Sequence, residues 1–200
     1  MELEQKYLVE NEEAMSEARL LLSTLVPASR PEPKAQHDLY YDTRDLDLLN
    51  RGASLRVRRK GTQYLLTIKD GGGRRDGRFC RSEQEFPLRL PDPEFCRPAI
   101  LSAFPDLPAN CGFRPMVGVE NQRTTLLLDG KVEAALDRVT YTQGGTPTGG
   151  ELQLELEVTG AGGEALLDRL VQSLRSVPGL TPMSQSKYQR AMACRRRSFL

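Results

Sequence analysis

Histidine is nearly absent from this 200-residue chain: His37 stands alone. One imidazole cannot build a histidine metal cluster or supply most nucleophile–base triads, and there is no Gly-x-Ser-x-Gly elbow, so His37 reads as structural. Net charge is also almost absent, at +1. No global field draws in nucleic acid or an anionic membrane, and Arg195-Arg196-Arg197 reads as a short solvated tail, so neither partner is expected. Met1 to Lys6 lacks a basic segment followed by an apolar run, and no later stretch approaches spanning length. Cys80, Cys96, Cys111 and Cys194 are irregularly spaced, without a Cys-x-x-Cys pair. Reduced thiols in a cytoplasmic protein are expected, with neither disulfides nor structural zinc. Gly71-Gly72-Gly73 is not followed by Gly-Lys-Ser or Gly-Lys-Thr, which excludes a P-loop.

What is present is a chain of strands. The length fits a single domain over 1–200. Asn11 is placed to cap a helix running to about Leu25, with Glu12 and Glu13 in its first turn and prolines 27, 31 and 33 beyond its end. A short strand over His37–Asp42 and a helical turn at Leu46–Leu49 follow. Ser54–Lys60 and Gln63–Asp70 form a hairpin about Gly61, and a glycine-rich loop leads to a strand over Arg81–Pro87. Residues 91 to 115 are proline-rich and expected outside the sheet, with a short helix near Glu94–Phe104. Val117–Leu128 and Lys131–Tyr141 flank the turn dipeptide Asp129-Gly130, Gly144–Gly150 reads as a loop, and Glu151–Val158 is a strand. Helices over Gly163–Val177 and Ser184–Arg195 complete about eight antiparallel strands with helices outside.

Side chains at i, i+2 and i+4 of a strand share a face. One such row is repeatedly charged: Glu2, Glu4 and Lys6; Arg56 and Arg58; Lys69; Glu83 and Glu85; Glu151, Glu155 and Glu157. The ordinary explanation is a solvated face over an apolar one. The sharper one is a sheet closed with the charged row inward, its apolar outside covered by helices. Sorting by sign favours the second, since acids dominate residues 2–4, 83–85 and 151–157 while bases dominate 56–58, 69 and 123. Crowded carboxylates require a cation, and all-oxygen ligands select Mg²⁺ or Mn²⁺. Crowded guanidinium and ammonium groups suit phosphate.

Glu2-Leu3-Glu4-Gln5-Lys6 resembles the Glu-x-Glu-x-Lys signature of the CYTH domain, or triphosphate tunnel metalloenzyme superfamily. The resemblance continues in order through Tyr40-Tyr41-Asp42-Thr43, Leu55-Arg56-Val57-Arg58, Leu66-Thr67-Ile68-Lys69, Glu83-Gln84-Glu85, Gln122-Arg123-Thr124, Ala135-Leu136-Asp137, Glu155-Leu156-Glu157 and Ser186-Lys187-Tyr188. It implies a mainly β fold of α+β type: a closed, eight-stranded antiparallel β-barrel with peripheral helices, acting on a triphosphate with a divalent cation. It further implies metal roles for Glu2, Glu4, Glu83, Glu85, Asp137, Glu155 and Glu157, and phosphate roles for Lys6, Arg56, Arg58, Lys69, Arg123 and Lys187. Glu2, Glu4 and Lys6 are the expected catalytic group. Lys187 would have to close one tunnel mouth from a helix. Gln153 departs from an otherwise acidic last strand.

The expected reaction is hydrolysis of inorganic tripolyphosphate to pyrophosphate and phosphate by a monomer or homodimer. The signature starts directly after Met1, so no preceding segment is expected to help close the tunnel or bind a nucleobase. A class IV adenylate cyclase is the chief rival, although the His-Phe pair often found ahead of its first signature is absent. Thiamine triphosphatase and a non-catalytic polyphosphate- or nucleotide-binding module also fit the resemblance.

Overall fold

The computed structural model describes residues 2–75 and 78–197, with side chains described at all of these except 2, 73–81 and 196–197. The chain runs β1 (Glu2–Val9), α1 (Glu12–Leu25), β2 (Glu32–Asp42), α2 (Asp47–Asn50), β3 (Ser54–Lys60), β4 (Gln63–Lys69), β5 (Gly73–Arg75), β6 (Arg78–Arg81) and β7 (Glu83–Leu88). A 3₁₀ turn (Pro93–Cys96) precedes α3 (Arg97–Ala103). Then come β8 (Arg114–Leu128), β9 (Val132–Gln143), β10 (Thr146–Val158), α4 (Gly163–Leu174), β11 (Leu180–Met183) and α5 (Lys187–Arg197).

All strands belong to one sheet of eleven, in the order β5-β6-β1-β10-β9-β8-β2-β3-β4-β7, with β11 also paired to β1. Every ladder is antiparallel. This corrects the expected closed eight-stranded β-barrel. The sheet has more strands and does not close, because no ladder among the described residues joins the β7 edge to the β5–β6 edge. The reason lies at the edges. β6 pairs with β1 and β7 pairs with β4, yet only Ser82 separates β6 from β7 in the chain. β6 is already filled on both sides, by β1 and by β5, so it offers β7 no free edge, and the edges left unladdered are those of β5 and β7.

Strand alternation divides the core. On one face, Tyr7 and Val9 of β1, Leu154 and Leu156 of β10, and Val132, Ala134 and Leu136 of β9 bury against Ala14, Met15, Ala18 and Leu22 of α1 and Leu166, Leu167, Leu170 and Leu174 of α4. Each fully buried leucine here contributes roughly 1.5–3 kcal/mol. Asn11 caps α1 by accepting from the Ala14 N–H at 2.9 Å. A second cluster packs Leu55, Val57, Leu66 and Ile68 of β3 and β4 against Ile100, Phe104 and Leu107. Among the described residues no helix is long and apolar enough to cross a membrane.

A third cluster lies on the opposite face of the sheet. Val119, Val139 and Tyr141 share their rows with Arg123 and Asp137, and they bury against Tyr188, Ala191 and Met192 of α5. Helix α5 thus fills one end of the concave, charged face, while α1 and α4 cover the convex one.

Candidate functional site

Pairing register assembles the site. Across β8, β9 and β10, Arg123 lies opposite Asp137 and Asp137 opposite Gln153. Across β1 and β10, Lys6 lies opposite Glu155 and Glu4 opposite Glu157. Across β2, β3, β4 and β7, Arg58 faces Asp38, Arg56 faces both Tyr40 and Thr67, and Lys69 faces Glu83. These rows converge on a cavity of about 80 Å³. All of Lys6, Arg56, Arg58, Lys69, Arg123 and Lys187 line it, together with Glu4, Glu155 and Glu157.

Glu155 in the cavity wall and Asp137, fully buried behind it, form an anionic pair. Arg123 donates to both Asp137 carboxylate oxygens, at 2.7 and 2.6 Å, and to Glu155 at 2.6 Å. Lys187 Nζ bridges the same two carboxylates at 2.8 and 2.6 Å, Lys6 Nζ lies 3.4 Å from Glu155, and Asn121 donates to Asp137 at 2.9 Å. Burial alone would push both carboxyls up. The attraction of Lys187 and Arg123, joined at Glu155 by Lys6, overcomes it and holds both below their ordinary range. Each is therefore ionised and already surrounded by cations.

The remaining acids divide by partner. Glu83 takes Lys69 at 3.0 Å, and exposed Glu85 accepts from Thr67 Oγ1 at 3.3 Å, itself the acceptor of Arg56 Nη2 at 2.9 Å. Glu4, only 4 % exposed, pairs with Lys6 at 3.0 Å. Among the described residues no group of three or more His, Cys, Asp or Glu stands close enough to hold a metal. The side chain of Glu2 lies outside the described residues.

Three features escape a reading of the motifs. Asp38, 5 % exposed, grips Arg58 through two bonds of 2.7 Å and lies 3.8 Å from Arg56. Burial raises its carboxyl, but Arg56 and Arg58 outweigh this and hold it below the ordinary value. Its alternation with Tyr40 and Asp42 was the available signal. The Nε of Arg56 is buried without a hydrogen-bond partner, an unmet donor at the cavity wall. Gln153, the odd residue of the acidic strand, donates to Glu151 at 2.6 Å and to Tyr141 at 3.1 Å, supporting a carboxylate that also pairs with Arg190.

The sequence matches the CYTH domain over residues 1–192. The chain belongs to the CYTH domain family. No curated protein matches it. Solved structures share the fold of this CYTH domain at low identity. HpAC1 of Hippeastrum, a proposed adenylyl cyclase with a dominant triphosphatase activity, is 20 % identical with a TM-score of 0.67, covering 96 % of both chains. PH1819 of Pyrococcus horikoshii is 18 % identical at 0.63, covering 96 % of this chain and 99 % of its own. A proposed adenylate cyclase of Bacillus halodurans is 18 % identical at 0.62, covering 95 and 96 %. Family membership supports an enzyme acting on a triphosphate-type substrate.

Proposed function

We propose that this CYTH domain hydrolyses inorganic tripolyphosphate to pyrophosphate and orthophosphate. The observation that carries the reading is the convergence of six cationic side chains, from strands β1, β3, β4 and β8 and from helix α5, on a single small cavity. Such a ring gathers N–H donors suited to phosphate oxygens, and the unmet Arg56 Nε supplies a further one. Since protein catalysis of phosphoryl transfer consists largely of positioning and charge stabilisation, fixed cations are the principal requirement.

The residues also fit a hard divalent cation. Glu4 and Glu157 are directly opposed on adjacent strands, and both line the cavity. Mg²⁺ is commonly bound by one or two carboxylates plus substrate phosphates, and these two carboxylates stand on adjacent strands at the cavity. Glu4 and Glu157 would hold Mg²⁺ or Mn²⁺, which when bound supplies charge neutralisation at the phosphate oxygens and a more acidic water. Glu155 and Asp137 are poor proton acceptors because the neighbouring cations already draw on them. Lys6, at 3.0 Å, orients the Glu4 carboxylate for its place beside the metal. The basic groups stabilise the leaving pyrophosphate.

The inorganic substrate is preferred over a nucleotide on two observations. The cavity, at about 80 Å³, is well below the ~300–1,000 Å³ that encloses drug-sized ligands. Tyr40 is its one aromatic lining residue among those described, and that ring is stacked on Tyr188, with centroids 5.3 Å apart. One face of that ring is therefore already taken by Tyr188. The test is a turnover assay with tripolyphosphate, ATP and thiamine triphosphate, each with Mg²⁺ and with Mn²⁺. Orthophosphate and pyrophosphate from tripolyphosphate are expected; cyclic AMP from ATP as the main product would replace this reading with a cyclase.

A further inference from the structure

The segment that brings Lys187 to the cavity is built residue by residue. Ser186 and Gln189 form a reciprocal cap at the start of α5: the Ser186 N–H donates to Gln189 Oε1 at 2.9 Å, and the Gln189 N–H donates to Ser186 Oγ at 3.2 Å. Between them stand Lys187, whose ammonium enters the cavity, and Tyr188, which is fully buried. The Tyr188 ring stacks on Tyr40 at an interplanar angle of 7°. Its hydroxyl donates to Asp42 Oδ2 at 2.7 Å.

Asp42 is wholly buried and is not part of the cavity wall. Its carboxylate accepts from the N–H groups of Thr43 at 2.8 Å, Leu48 at 3.0 Å and Leu49 at 3.0 Å, which fixes it to the turn entering α2. The Tyr188 hydroxyl is the fourth donor. Asp42 is thus a rigid point on the sheet to which the first turn of α5 is tied. A lysine ammonium rides on a flexible four-carbon stem, so its position depends strongly on where its backbone is held. The hydroxyl bond and the ring stack together fix that backbone one residue away.

We propose that Asp42 is a positioning residue that, through the Tyr188 hydroxyl, sets the place of the Lys187 ammonium between Asp137 and Glu155 for polyphosphate binding. This rests on the polyphosphate reading of the cavity. It explains why a carboxylate remote from the substrate and a tyrosine outside the cavity wall accompany the cavity lysine.

The experiment compares wild type with Tyr188→Phe, Lys187→Ala and the double variant. Tyr188→Phe keeps the ring and its stack while removing only the tie. Calorimetric binding of tripolyphosphate and the ¹⁵N resonance of the Lys187 ammonium are both read. Tyr188→Phe is expected to weaken binding about five- to tenfold, with no further loss in the Lys187→Ala background, and to broaden or shift the ammonium resonance. Thermal unfolding separates this from loss of fold. Equal tripolyphosphate affinity in wild type and Lys187→Ala removes the phosphate role of Lys187, whereas a weakened Lys187→Ala with an unaffected Tyr188→Phe removes only the positioning role. An ammonium resonance unchanged by Tyr188→Phe overturns the proposal whatever binds.

Discussion

Arg123 on β8 and Asp137 on β9 occupy opposed positions of the ladder and are joined by two hydrogen bonds of 2.7 and 2.6 Å at the cavity wall that Arg123 forms. The pair cannot be treated as a surface salt bridge, because Asp137 is fully buried and Lys187 also draws on it. Asp137→Asn would leave two cations short of compensation. It is expected to destabilise the protein by about 3–5 kcal/mol, the usual cost of breaking a buried pair from one side. Denaturant titration measures this, and a loss below about 1 kcal/mol would mean that Arg123 and Lys187 find other partners.

Arg56 offers the complementary case, since its Nε has no partner and its remaining contacts lie at 2.9 Å to Thr67 and 3.8 Å or more to the carboxylates. Arg56→Ala is expected to weaken tripolyphosphate binding about ten- to hundredfold, mainly by raising KM. Unchanged KM with reduced kcat would assign the guanidinium to the transition state alone.

Glu4→Gln tests the metal reading separately from the phosphate reading. The amide keeps the shape and loses the charge opposite Glu157. Mn²⁺ binding followed by electron paramagnetic resonance should weaken, and turnover should fall at least about 100-fold, with the circular dichroism spectrum retained. Full Mn²⁺ affinity in this variant would move the metal to other residues.

The pH dependence of stability has a definite sign. The carboxyls of Asp137 and Glu155 are held below their ordinary values of 3.8 and 4.5 in the folded state. Their stabilisation is complete above those values and is lost as pH falls through the lower, folded ones. Unfolding free energy should therefore decline below about pH 4.5, and Glu155→Gln should make that decline shallower by removing one titrating group. An identical acid slope in the variant would speak against the shift.

Strand rows were the most legible part of the sequence, because Leu154/Glu155 and Leu55/Arg56 alternate between a packed face and a charged one. The same alternation picks out Lys6, Arg56, Arg58, Lys69 and Arg123 of the cavity wall, whereas Lys187, on a helix, came only with the family resemblance. Closure was not legible, since it depends on which strands end at the edges of the sheet, here β5 and β7, a tertiary matter that motif order does not encode. Gly149 and Gly150 looked like loop residues but lie inside β10, which begins at Thr146. A Cβ on Gly150 would meet the Val139 carbonyl at 2.8 Å, so that glycine marks close backbone approach and not a turn. Helix α5 was expected to close one mouth; what its sequence did not reveal was that Tyr188, Ala191 and Met192 pack onto the concave face itself.

If the ring of basic side chains is a polyphosphate site, it should take up tripolyphosphate with no metal and no turnover. Titration of tripolyphosphate into the purified, metal-free protein, followed by calorimetry at two salt concentrations, reads this without the chemistry. One-to-one binding is expected, weakening with salt and severely reduced in both Arg56→Ala and Arg123→Ala. No binding, or an affinity untouched by either substitution, would leave the basic ring without its ligand.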